Sequence, residues 1–99
     1  MKKVDLIKNE LIRLRNEFIS KDENTLKKLD GQPLTLMCKA FNKEYPIMIW
    51  SESEPDDSTV LIIEATQKKF FYIVCHREGF RITNNKTTIL TEEELWEYD

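Results

Sequence analysis

Two cysteines, one histidine and a run of four carboxylates are the residues of this 99-residue chain that invite a chemical reading. Cys75 and His76 are neighbours in a segment that reads as a β-strand, where successive side chains point to opposite faces. They therefore cannot form a nucleophile–base pair with each other. A zinc site built from Cys38, Cys75 and His76 would lack a fourth ligand and the close paired spacing of structural zinc sites. Each cysteine is expected to be a small buried hydrophobe, and His76 an ordinary polar residue at a strand end. Gly31 and Gly79 are the only glycines, so no phosphate-cradling loop or dinucleotide fingerprint is present. Neither a metal nor another cofactor is expected, and no catalytic residue is assigned.

Glu52, Glu54, Asp56 and Asp57 fall within six residues that hold no base. Their spacing does not match a calcium loop, and Pro55 interrupts them. Such a run sets up a local negative field that steers a basic partner; the plainer alternative is a solvated loop. Trp50 lies just before it and supplies the large apolar body with a polar tip that interface hot spots favour. Closing one end of the core opposite Phe41 is the other role for that indole. Trp50, Glu52, Glu54, Asp56 and Asp57 are thus the expected partner-binding residues. Lys68, Lys69, Arg77, Arg81 and Lys86, with Phe70, Phe71, Tyr72 and Phe80 near them, make a second, nucleic-acid-binding candidate. No zinc-finger, helix-turn-helix or RNA-recognition signature accompanies them.

The elements that position these residues follow from periodicity. Val4, Ile7, Leu11, Leu14 and Phe18 recur at spacings of three and four, which predicts a helix over about residues 2–20 lying on a core. Ser20 and Glu23 fit a capping box ahead of a short second helix over about 22–29, stopped by Gly31-Gln32-Pro33. From Pro33 the apolar period becomes two. Strands are expected over 34–41 and 45–50, with a turn at Asn42-Lys43-Glu44 and a loop over 51–58. Val60-Leu61-Ile62-Ile63 is apolar on both faces and so central. Turns are expected at 66–69, at Arg77-Glu78-Gly79 and at Asn84-Asn85-Lys86, bounding strands over 70–76, 80–83 and 87–90. Thr91 and Glu94 form a capping box, with Leu90 and Leu95 as its hydrophobic staple, and open a short C-terminal helix. The connections leave no room for a parallel crossover. The expected fold is α+β: an N-terminal amphipathic helix packed on a curved antiparallel sheet of five to six strands, with a short C-terminal helix, in a single domain spanning 1–99.

Composition narrows the function classes. The chain carries 15 basic and 18 acidic residues, a net charge of −3, and is 40% hydrophobic. It has too much apolar and aromatic material for a disordered chain and no apolar run long enough to span a membrane. Two cysteines suit a reducing cytoplasm. The net charge conceals segregation: residues 1–50 sum to +3, 51–66 to −5, 67–90 to +4 and 91–99 to −5. With no catalytic motif, the sequence points to a non-enzymatic protein–protein interaction module. The expectation is a small inhibitor or immunity-type protein that masks a basic, nucleic-acid-binding surface of its partner, such as a nuclease. The composition resembles that of small phage-encoded, anti-CRISPR-like inhibitors of host defence nucleases, although no motif assigns a family. A nucleic-acid-binding accessory protein and a small thiol- or metal-dependent enzyme are the alternatives. No membrane contact is expected, and homodimerisation through free sheet edges stays open.

Overall fold

A computed structural model describes residues 3–40 and 43–98, with side chains described over 5–37 and 44–98. Helix α1 (Lys3–Ile19) forms where the apolar stripe predicts it. Ile7, Leu11, Leu14 and Phe18 are buried, Leu6 and Ile19 pack partly against the same core, and the opposite face is solvated. Each buried side chain contributes about 1.5–3 kcal/mol of transfer free energy. The side chain of Val4, first of the stripe, lies outside the described residues. Helix α2 (Glu23–Lys27) is shorter than expected, and its cap is Asp22, not Ser20. The Asp22 carboxylate accepts the Thr25 amide at 2.7 Å, as a carboxylate at an N-cap does, and Leu26 anchors the helix in the core.

Five strands follow: β1 (Leu34–Ala40), β2 (Lys43–Ser53), β3 (Thr59–Lys68), β4 (Ile73–Thr83) and β5 (Lys86–Ile89). They form one antiparallel meander in the order β1-β2-β3-β4-β5. Val60 to Ile63 are fully buried on both faces, so β3 is central, as its sequence predicts. Ile47, Ile49, Leu61, Ile63, Ala65, Phe80 and Ile82 face α1. On the other face Val60 and Ile62 meet Leu90 and Leu95 in a smaller cluster, partly covered by Trp50 and Tyr98. Leu95 belongs to helix α3 (Glu92–Leu95), which closes that face. Its Thr91–Glu94 capping box is formed as expected, with both reciprocal hydrogen bonds present.

Several boundaries differ from the sequence expectation, and the reason is pairing across the sheet. Lys43 and Glu44 belong to β2 rather than to a turn, because they pair with Ala40 and Lys39. Phe41 and Asn42, expected in the first strand and its turn, lie outside the described residues, as do the side chains of Cys38, Lys39 and Ala40. The loop after β2 starts at Glu54, not Ser51, since Ser51, Glu52 and Ser53 pair with Leu61, Val60 and Thr59. Thr66, Gln67 and Lys68 likewise extend β3, against Cys75, Val74 and Ile73. No turn interrupts Arg77-Glu78-Gly79; β4 runs straight through it. Gly79 is needed for close packing instead: a Cβ there would collide with the Leu61 carbonyl oxygen and lie 3.2 Å from Ile62 Cδ1 and 3.3 Å from Leu90 Cδ1. The β4–β5 turn matches its sequence, with Asn84 (φ 51°) and Asn85 (φ 64°) in the left-handed conformation that a tight hairpin requires and Asn tolerates. No helix among the described residues is long and apolar enough to cross a membrane.

Candidate functional site

The acidic loop is folded upon itself. The Glu54 amide donates to the Ser58 carbonyl at 2.8 Å, and the Asp57 amide to the Glu54 carbonyl at 3.0 Å. Asp56 accepts the Ser58 amide at 3.0 Å, the local side-chain-to-backbone bond by which Asp shapes turns. Hydrogen bonding from the Ser58 side chain and from this amide holds the Asp56 carboxyl below its ordinary range. Asp57 takes the left-handed conformation, φ 68°. The Ser58 hydroxyl, 2.8 Å from that of Thr83, ties the loop to the end of β4.

Arg81 then joins this loop to the C-terminal segment. Its Nε donates to Glu54 Oε1 at 2.8 Å, Nη1 to Glu94 Oε2 at 3.1 Å and Nη2 to the Tyr98 hydroxyl at 3.0 Å. Tyr98 in turn donates to Glu54 Oε1 at 3.1 Å. Glu94 also accepts the Thr91 amide of the capping box; this backbone bond and the Arg81 pair keep its carboxyl below the ordinary value. Residues 51–57 and 92–97, which are well apart in sequence, therefore share one end of one face. Together they carry eight carboxylates. Asp57, Glu93 and Glu97 are exposed and make no side-chain hydrogen bond or ion pair among the described residues.

Arg77 lies on the same face of β4, one position beyond Gly79. It donates to Glu64 Oε2 at 2.6 Å and to the carbonyls of Leu95 and Tyr98 at 2.8 and 2.6 Å. Its guanidinium lies 5.4 Å from the Trp50 ring centroid and 4.5 Å from that of Trp96, within cation–π range. These contacts, with Leu95 in the core, hold a helix of about one turn that could not persist alone. Trp50 is thus half-buried beneath α3 and also borders a cleft of about 380 Å³. Asp30, Gly31 and Pro33 line one side of the cleft, and Met48, Trp50 and Glu52 the other. It opens where β1 begins, since the β1–β2 ladder stops at Leu34–Ile49 while β2 continues to Ser53. Trp50 Nε1, Ser51 Oγ and Glu52 Oε2 are buried there without a hydrogen-bond partner among the described residues.

Of the five acidic-site candidates, Glu54 and Asp56 are engaged internally, Glu52 and Trp50 face the cleft, and Asp57 is free at the surface. The five basic candidates do not form one patch. Arg77 and Arg81 are committed to ion pairs, Lys68 and Lys69 lie at one end of the sheet, and Lys86 pairs with Thr83 near the other. The nearby aromatics also depart from expectation. Phe70, Phe71 and Tyr72 form a turn rather than a strand and are exposed, whereas Phe80 is fully buried. Cys75 and His76 pair with Thr66 and Ala65, which puts them on opposite faces. His76 is buried, not peripheral, and its Nε2 lies 3.3 Å from Gln67 Oε1. Burial, aided by the Lys8 and Lys69 charges, lowers its affinity for a proton. No three His, Cys, Asp or Glu side chains among the described residues are placed to hold a metal ion. Comparisons with protein-family models, curated proteins and solved structures give no match.

Proposed function

We propose that the chain is a cytoplasmic, non-enzymatic protein–protein interaction module, an inhibitor or immunity-type protein that masks a basic, nucleic-acid-binding surface of its partner. The observation that carries this reading is the junction at Arg81, which brings the 51–57 loop and the C-terminal acids into one negative surface. Local turn geometry and capping account for Asp56 and Glu94, and Arg81 offsets Glu54. Asp57, Glu93 and Glu97 have no such internal role, so their charge is directed outward. Charge arranged in this way raises the rate of encounter with a basic partner more than it raises final affinity. The Trp50 cleft beside it offers apolar surface next to the steering field, the combination expected of an anchor.

The test is capture of the native protein's partner from host lysate, followed by association kinetics with Asp57→Lys, Glu93→Lys and Glu97→Lys combined. These exposed positions leave the Arg81 network intact. The variant should associate at least about tenfold more slowly at low ionic strength, within the usual range of electrostatic steering. The difference should shrink as salt is added. Unchanged association at low salt would overturn the reading.

A further inference from the structure

The β3–β4 hairpin ends in a turn whose composition conflicts with solvent preference. The ladder closes at Lys68–Ile73, and the Lys69 amide donates to the Tyr72 carbonyl at 2.8 Å. That leaves Phe70 and Phe71 as the two corner residues, 91% and 87% exposed. Unlike Asn84 and Asn85 of the β4–β5 turn, Phe70 and Phe71 lack a positive φ, so the backbone admits them at this corner but does not require them. Their rings are costly in water and gain no burial within the fold. A contiguous run of exposed apolar side chains from Phe70 to Ile73 points to an interaction surface.

The rest of the tip is graded along the hairpin. Phe70 and Phe71 pack edge to face at its extremity, with centroids 4.6 Å apart. Tyr72 and Ile73, 61% and 62% exposed, come next, flanked by the exposed side chains of Lys68 and Lys69. Apolar rings outermost, an amphipathic phenol behind them and flexible cations at their base reproduce the depth profile of a bilayer interface. There Phe enters the acyl boundary, while Tyr and Lys sit at the headgroups. The tip is convex, so it offers no groove for a nucleic-acid backbone to follow. The perpendicular rings are likewise not a platform for stacked bases.

We propose that this tip is a peripheral docking element for an anionic lipid bilayer. The rings supply the apolar contact and Lys68 and Lys69 the attraction to acidic headgroups. Two weak signals in combination give a reversible anchor where either alone is marginal. Ten residues of β3 separate the tip from the acidic loop, roughly 30 Å at strand rise. An anionic surface would therefore attract the lysine end and repel the acidic end, which orients the molecule. Docking in this manner departs from the sequence expectation of no membrane contact, which rested on the lack of a spanning run, and is independent of the masking role proposed for the acidic end.

Co-sedimentation of the full chain with vesicles of phosphatidylcholine, with and without phosphatidylserine, tests the proposal. The expected result is binding that requires phosphatidylserine. Phe70→Ser with Phe71→Ser should weaken it at least about a hundredfold, taking about tenfold or more per inserted ring. Lys68→Gln with Lys69→Gln should weaken it by about twenty-fivefold, near fivefold per lysine. Both variants should keep the wild-type melting midpoint, since the altered side chains are exposed. The proposal is overturned if the folded wild type binds neither vesicle, if it binds both equally, or if the serine variant binds as well as wild type. Phe70- and Phe71-dependent binding to single-stranded oligonucleotide without vesicle binding would overturn it in favour of base stacking.

Discussion

Replacing Gly79 by Ala adds one methyl group at the most crowded point between the sheet and α3. Gly79 lies opposite Ile62 in the β3–β4 ladder, and its carbonyl accepts the Leu90 amide at 3.1 Å. The new Cβ would overlap the Leu61 carbonyl oxygen, a backbone atom that cannot rotate aside, and would press on Ile62 Cδ1 and Leu90 Cδ1. Relief requires the two central strands to separate or Leu90 to withdraw, which loosens the start of α3. Overpacking of this kind costs typically 1–3 kcal/mol, and the backbone obstacle puts this case at about 3 kcal/mol. For a chain of this length that lowers the melting midpoint by about 12–24 °C, at 4–8 °C per kcal/mol. Gly31→Ala is the control. Its site is open but left-handed, φ 76°, so it loses only the backbone preference, about 1–2 kcal/mol. Thermal unfolding followed by far-ultraviolet circular dichroism measures both, and amide exchange of residues 94–97 reports on α3. The steric account is refuted if Gly79→Ala melts within a few degrees of wild type, or if Gly31→Ala is the more damaging.

Two further perturbations address the polar networks. Arg81→Met keeps the aliphatic stem but leaves Glu54, Glu94 and Tyr98 without their shared cation. It should cost about 1–2 kcal/mol after allowance for partial solvent exposure and should speed amide exchange in α3; an unchanged exchange rate would show that Leu95 and Arg77 hold the helix without Arg81. His76→Gln tests the buried imidazole. Burial places the folded-state value below the ordinary 6.5, so just below that pH the unfolded chain binds a proton that the folded chain does not. Wild-type stability should therefore rise with pH up to about 6.5 and be lost as pH falls through that window. Glu78 acts in the opposite sense near the carboxylate range, because burial raises its value and stability falls as pH rises through it. Denaturant unfolding across pH should show His76→Gln lacking the slope just below 6.5, and an unaltered slope would refute the assignment.

Local patterns in the sequence determined the parts of this protein that depend on residues close together in the chain. The Ile7–Phe18 stripe, the doubly buried run 60–63, the Asn84-Asn85 turn and the Thr91–Glu94 capping box are all set by neighbours within a turn or a strand. They are enough to specify an α+β chain with a helix on an antiparallel sheet. Turn-prone residues do not mark turns where a strand partner engages them. Arg77-Glu78-Gly79 resembles a turn until Glu64, Ile63 and Ile62 pair with it, and Phe70-Phe71-Tyr72 resembles a strand until the ladder is seen to close before it. For the site, the acidic run and Trp50 were legible as candidates. Only the tertiary structure decided which of their charges remain outward. Glu54, Arg81, Glu94 and Tyr98 lie 13 to 44 residues apart in their contacts, and hydrogen bonds over such separations leave no periodic trace in sequence. The same long-range pairing turned the basic 68–86 segment from one patch into two internal cations, a lone Lys86 and a lysine-flanked aromatic tip.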